Sequence, residues 1–183
     1  MEEVINSVFL LEGECNSYYI DDKIKILIDA GFDFKKHVDF LVLTHIHPDH
    51  ILFAKVIQER TNCKILVGDG DQIIDSLIQF FPEWHGKKIR QFKADKVLKD
   101  GDVINSGACS FKVLAVPGHS KGSIALFEYN NKILFSGDTL FADGIIGRTD
   151  FPHSEPKKME SSLEKLKKTN YKILLPGHGK IVL

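Results

Sequence analysis

The sequence predicts an α/β protein in which helices cover a sandwich of β-sheet. Three observations lead there. Short runs rich in β-branched and aromatic residues recur along the whole chain, roughly a dozen of them. Helical spacing is confined to a few segments between these runs. The length, 183 residues at 43% hydrophobic and 27% charged, suits one well-buried core and is short for two.

Taken in order, "VINSVFLLEG", "CNSYYI" and "KIKILID" read as strands, parted by Gly, Asn and Asp-Asp. "DFLVLT" (39–44) is a nearly continuous apolar run, as in a strand buried on both faces. From Pro48 the pattern turns helical, with Ile51, Leu52, Ala54, Val56 and Ile57 recurring before "ERTN". "CKILVG" is a further strand. "GDQIIDSLIQFF" places Ile73, Ile74, Leu77, Phe80 and Phe81 at helical spacing until Pro82 stops it. Phe80, Phe81 and Trp84 could lie as an apolar wall beside a site, but a helix packed on the core is the plainer expectation. The basic stretch "HGKKIRQFKADKVLK" (85–99) reads as a solvated loop. "SFKVLAV", "SIALFEY" and "KILFS" are strands. "EPKKMESSLEKLKK" is a helix with Pro156 early and lysines in its last turn, where they suit the dipole. "YKILL" and "KIVL" close the chain as strands.

Composition removes several function classes. A formal net charge of −1 implies no nucleic-acid partner. Cys15, Cys63 and Cys109 are isolated, so neither a disulfide framework nor a thiolate zinc site is expected, and a reducing compartment fits. The acidic start "MEEVINSVFLLEGE" lacks the basic region of a signal peptide, and no apolar run is long enough to span a bilayer. The expectation is a cytoplasmic protein acting on a small molecule.

The chemistry lies where the buried strands end. "DFLVLT" delivers His45, His47, Asp49 and His50; "SFKVLAVPG" delivers His119; "KILFSG" delivers Asp138; "YKILLPG" delivers His178. Gly118, Gly137 and Gly177 directly precede three of these residues, and glycine permits the sharp turn that presents the next side chain. His45 and His47 are two apart, so on extended backbone they share a face and can grip one ion. Pro48 suits the first position of a helix, which turns Asp49 and His50 in another direction. One segment therefore serves two adjacent ions. His119 completes the first shell, His178 the second, and Asp138 with two oxygens is the natural bridge. Imidazole and carboxylate without thiolate suit zinc, and also iron or manganese. In such two-metal sites the ions sit roughly 3.5–4 Å apart. The remaining histidines, His37, His85 and His153, are read as surface residues.

These motifs resemble the metallo-β-lactamase superfamily, from "LIDAG" through "THIHPDH", "PGHSKGS", "FSGDTLF" and "LLPGHG", in family order over nearly the whole chain. The resemblance implies a four-layer αββα sandwich with the metals at one edge of the β layers. It matches His45, His47 and His119 to the first metal site, Asp49, His50 and His178 to the second, and Asp138 to the bridge. Asp29 matches an acidic residue that supports the site from behind the ligands.

Within the superfamily the chain is most similar to glyoxalase II-like hydrolases, through "GECNSYYI", "LKDGDVI", "VPGHSKGSIALF", "GDTLFADGIIGRTDFP" and "SLEKL". That likeness implies a metal-bound hydroxide attacking a thioester or related acyl carbonyl, with Asp49 and Asp138 catalytic. Arg148 and Phe141 are the candidate substrate contacts. Arg148 could hold a substrate carboxylate or pin its own loop through Asp150. Ser120 is expected to shape the turn after His119 rather than to react.

The chain departs from the group in three places. Ile51, Leu52 and Phe53 stand where the family commonly has two glycines. The Lys and Tyr that usually contact substrate after the bridging aspartate are not evident. The sequence runs only four residues past Gly179, so the expectation is one domain, residues 1–183, without the C-terminal helical region of glyoxalase II. "GRTDF" is also similar to persulfide dioxygenases, which would use one iron, and a lactonase of the same fold is a further alternative. A non-catalytic module would lack a ligand, and none is missing.

Overall fold

Apolar runs without polar alternation become strands buried on both faces, and that sets the number of layers. The computed structural model describes residues 1–71 and 89–183. Among them the first sheet is seven-stranded, in the order β1 (Glu2–Ile5), β2 (Val8–Glu12), β3 (Asn16–Ile20), β4 (Ile26–Ile28), β5 (Phe40–Leu43), β6 (Lys64–Gly68) and β7 (Lys96–Leu98). Its first four strands are antiparallel, and β4 to β7 pair in parallel. The second sheet is five-stranded, in spatial order β12 (Ile173–Pro176), β11 (Ile133–Gly137), β10 (Ile124–Glu128), β9 (Ser110–Ala115) and β8 (Val103–Asn105). Helices α1 (Pro48–Ile51) and α2 (Ala54–Thr61) follow β5, and α3 (Pro156–Lys167) precedes β12.

Side-chain alternation sorts the core into three slabs. Val42, Ile28 and Leu66 of the first sheet meet Phe111, Val113, Leu126 and Phe135 of the second. Leu41, Leu43, Ile65 and Val67 point the other way, onto Ile51, Ala54 and Ile57. Leu114, Ala125 and Phe127 on the far side of the second sheet meet Leu163 and Leu166 of α3. Three apolar slabs separate four layers, so the αββα sandwich is confirmed. No helix among the described residues is long and apolar enough to cross a membrane.

Local departures from the expectation have local causes. "VINSVFLLEG" is two strands, because Asn6 and Ser7 take positive φ (39° and 64°) and fold the run into a hairpin. "KIVL" forms only a bridge, Val182 to Leu174, beside the last strand. The basic stretch expected as loop ends in strand β7. Around the first metal-type motif, the backbone is extended at His47 (ψ 150°), Pro48 opens α1, and a turn at Leu52–Phe53 separates α1 from α2. The helix expected over residues 73–81, the apolar wall of Phe80, Phe81 and Trp84, and His85 lie outside the described residues.

Candidate metal centre

Four strands of these sheets end at one place. β5 runs into His45 and His47, β9 into His119, β11 into Asp138 and β12 into His178. The loops are stitched together by backbone bonds: Ile124 N–H donates to Thr44 O (2.9 Å), and Gly177 N–H to Gly137 O (2.9 Å). All seven expected ligands are brought together. Donor atoms of His45, His47 and His119 lie within 4.8 Å of one another, as do those of Asp49, His50 and His178, and those of His45, His50 and Asp138.

Asp138 faces both groups. Its Oδ2 lies 3.6 Å from His119 Nε2 and 3.5 Å from His178 Nε2, and its Oδ1 lies 3.2 Å from His50 Nε2. His47 Nδ1 is 2.8 Å from His119 Nε2, and His178 Nε2 is 2.9 Å from Asp49 Oδ2. Ligands about 2.0–2.1 Å from a tetrahedral zinc ion stand roughly 3.3–3.4 Å apart, close to the 3.2–3.6 Å separations around Asp138. Two buried atoms make the same point: His45 Nε2 and Asp138 Oδ1 make no hydrogen bond, an expensive state for polar atoms that a cation relieves.

The opposite edge of each ring selects which nitrogen is offered. His119 Nδ1–H donates to Arg148 O (2.7 Å), leaving the Nε2 lone pair for the site. His50 Nδ1–H donates to Asp29 Oδ2 (2.9 Å). Thr44 Oγ1–H donates to the same oxygen (2.8 Å), and His45 Nδ1 lies 3.2 Å from Thr44 Oγ1. Asp29 Oδ1 accepts Thr44 N–H (2.8 Å). Asp29 thus orients two ligand rings from behind, one directly and one through a hydroxyl, the place expected for it. It does so at φ 61°, a conformation uncommon for a non-glycine residue.

Electrostatics divides the two groups. Burial drives His45 well below its ordinary value and His47 down to about 2, and it lowers His119 too, which favours the neutral rings that could coordinate a metal. Burial also works against charge on His50 and His178. On His50 it is outweighed by Cys15 and the carboxylates of Asp138, Asp29 and Asp49, and on His178 by Asp49 and Asp138, so both values rise. Asp49 and Asp138 are held below the usual carboxylate range, the histidines overcoming the burial that pushes them up.

The glycines before the ligands work for different reasons. Gly137 has φ 51° and needs the freedom of glycine. Gly177 is needed for space, since a Cβ there would stand 2.2 Å from Asp138 Oδ1.

An open cavity of about 380 Å³ leads to the cluster, with Phe141, Ile146 and Phe151 as its apolar wall. Arg148 lines it, yet its Nε and one terminal nitrogen both donate to Asp150, each at 2.9 Å, and its guanidinium lies 4.5 Å from the Phe151 ring. That arrangement favours the loop-pinning role. His37 is a surface residue paired with Asp39. His153 is not: its Nε2 lies 2.5 Å from His47 Nε2, and its ring stacks on Phe151. Sequence reasoning missed it because a single histidine in a loop carries no spacing signal. It also missed Asp71, buried behind the ligand loops.

Comparison with known proteins agrees with this geometry. The chain is 29% identical over 188 residues to hydroxyacylglutathione hydrolase GloC of Haemophilus influenzae, covering 94% of this chain and 88% of that protein. It is 34% identical over 155 residues to the acyl-coenzyme A thioesterase MBLAC2 of Homo sapiens, covering 75% of this chain and 54% of that one, about half its length. The crystal structure of TTHA1623 in a di-iron-bound form matches with a TM-score of 0.79 at 26% identity, covering 96% of this chain and 93% of that one. The Metallo-beta-lactamase superfamily model matches residues 10–178, and the chain belongs to that superfamily.

Proposed function

We propose that this protein is a metal-dependent hydrolase that cleaves a thioester or a related acyl bond of a small molecule. His45, His47 and His119 would hold one divalent ion, Asp49, His50 and His178 a second, and Asp138 would join them. Zinc is the metal best suited to this donor set, with iron and manganese as substitutes. The observation that carries the reading is Asp138, whose two oxygens face His119 and His178 on one side and His50 on the other at 3.2–3.6 Å. Bound there, such ions supply a water of lowered pKa and an electrophile for the acyl carbonyl and its leaving group.

The chain's own residues divide the rest of the work. Asp49 has a partly exposed carboxylate at the cavity, 2.9 Å from His178 Nε2, and it orients the attacking water and takes its proton at Oδ. Asp138 is the second catalytic carboxylate, fixing the two donor groups relative to each other. Phe141, Ile146 and Phe151 pack against the acyl group and keep bulk water from one side of it. Arg148 and Asp150 hold the loop that presents Phe151. The names of two relatives, a hydroxyacylglutathione hydrolase and an acyl-coenzyme A thioesterase, both describe cleavage of an acyl–sulfur bond. Three unpaired thiols, Cys15, Cys63 and Cys109, suit the cytoplasm. We read residues 1–183 as one such domain, acting without a nucleic-acid partner.

The test is hydrolysis of S-lactoylglutathione by zinc-reconstituted protein, with Asp138→Ala as control. Turnover that disappears in the control, together with metal content, is the expected result. A fully active Asp138→Ala protein ends the mechanism. Oxygen consumption on a persulfide by iron-loaded protein, with no acyl hydrolysis, overturns the reading in favour of a dioxygenase.

A further inference from the structure

Asp71 is a carboxylate that neither the ligand set nor the proposed chemistry uses, yet it is almost fully buried, at 3% exposure. It lies just past β6, on a turn whose sequence, "GDGD", reads as an ordinary loop. Its bonds go to two distant segments. Oδ2 accepts Ser120 Oγ–H at 2.7 Å and Ile46 N–H at 3.3 Å, and Oδ1 accepts Gly122 N–H at 2.9 Å. Ser123 Oγ closes the group, accepting Ser120 N–H at 3.0 Å and lying 2.8 Å from Ser120 Oγ.

The identity of the tethered residues matters. Ile46 is the residue between His45 and His47, and Ser120 directly follows His119. These are the two segments that carry the three-histidine group, and one comes from each sheet. We propose that Asp71 is a positioning residue for that group: a single carboxylate holds the His45–His47 segment and the His119 turn at the spacing the first ion needs, without touching any ligand. The fit is close as well as polar. A Cβ added at Gly122 would stand 2.4–2.6 Å from Asp71 atoms, so the turn after His119 packs directly against this residue. In all three bonds the Asp71 oxygens act as acceptors. Burial alone would keep such a group out of the interior, and it pushes the Asp71 carboxyl upward. A carboxyl group kept buried at that cost, and bonded to the backbone of two ligand segments, serves their placement.

The inference rests on the reading of the three histidines as a metal site. The test uses the full chain carrying His178→Ala as reference, which removes one ligand of the second group so that metal titration reports the first. Zinc affinity is measured by competition with a chromophoric chelator, and the cobalt(II) absorption spectrum reports the geometry around the ion. Asp71→Asn keeps the size but turns an acceptor into a donor facing backbone N–H groups. It is expected to weaken zinc binding about 10–100-fold and to shift the cobalt bands. Ser120→Ala removes one tether of the three and decides the matter if the first variant does not fold; about a tenfold loss is expected, again with a changed cobalt spectrum. A residue that only supports the fold would lower the unfolding temperature and leave the cobalt spectrum unchanged. Reference binding with affinity and spectrum unaltered in both variants overturns this assignment alone. A reference protein that takes up neither metal overturns the metal reading and this assignment together.

Discussion

Replacing Gly177 by alanine adds one methyl group beside the cluster and nothing else. Gly177 is not in the left-handed region, so alanine meets no backbone penalty there. Its Cβ would stand 2.2 Å from Asp138 Oδ1, 2.8 Å from His50 Cε1 and 3.2 Å from Gly137 C. A carbon and an oxygen not bonded to each other need roughly 3.2 Å or more, so the Asp138 carboxylate must retreat by about 1 Å. A misplacement of that size at a reacting centre costs about 100-fold in rate, or about 2.7 kcal/mol of barrier. Overpacking adds about 1–3 kcal/mol of lost stability. The assay is metal content by elemental analysis together with acyl hydrolysis. Gly179→Ala is the control, because a Cβ there meets nothing within 4 Å and only the φ of 74° is strained. The control should lose stability and keep its metals. A Gly177→Ala protein with full metal content and full turnover would refute the assignment of Asp138 as the residue that joins the two groups.

Asp29→Asn tolerates φ 61°, since asparagine visits that region readily, but its amide cannot accept from Thr44 N–H, Thr44 Oγ1–H and His50 Nδ1–H together. A 10–100-fold loss of metal affinity in a folded protein is expected, read by chelator competition. Acidification should release the ion of the second group first. Protons compete for an imidazole only near or below its pKa; His50 and His178 are raised, whereas His45, His47 and His119 are lowered. Metal stoichiometry after dialysis from pH 8 towards pH 6 should therefore fall from two towards one. The same shifts have a linkage consequence. The raised His50 value lends the metal-free protein stability on the acid side that is lost as pH rises through it, so the gain in unfolding temperature on adding zinc should be larger at pH 8 than at pH 6. Arg148→Ala should leave KM near its original value, because the guanidinium is already engaged by Asp150; a large rise in KM would restore the role of holding a substrate carboxylate.

The site was largely legible because its ligands obey a rule that a sequence can display. Each follows an apolar strand, and parallel strands end on the same side of a sheet. Two histidines two apart, followed by a proline, also encode a change of direction that the structure realises at His47 and Pro48. The layers were legible for a related reason: Leu41, Val42 and Leu43 are all apolar, and only a strand covered on both faces requires that. What stayed hidden depends on contacts between positions with no periodic relation. Asp71 meets residues 46, 120 and 122, and nothing in "GDGD" separates a buried tether from a solvated turn. His153 sits alone in a loop and gains its meaning from the approach of His47 and Phe151. The Asn6–Ser7 hairpin was concealed by apolar residues on both sides of two small polar ones.

The ligands are drawn from both sheets: residues 45–50 follow the first, and residues 119, 138 and 178 belong to the second. Any free energy gained on binding an ion is therefore also free energy of docking one half of the sandwich onto the other. Held that way, an ion would act as a rivet through two plates, adding to their apolar slab and to backbone bonds such as Ile124 N–H to Thr44 O. The segments it fastens lie far apart in the chain, where closing the intervening loop in a flexible ensemble is entropically expensive. Metal supply would then govern how long each molecule survives as well as how fast it turns over, and scarcity would be felt first as a shorter lifetime of the folded chain.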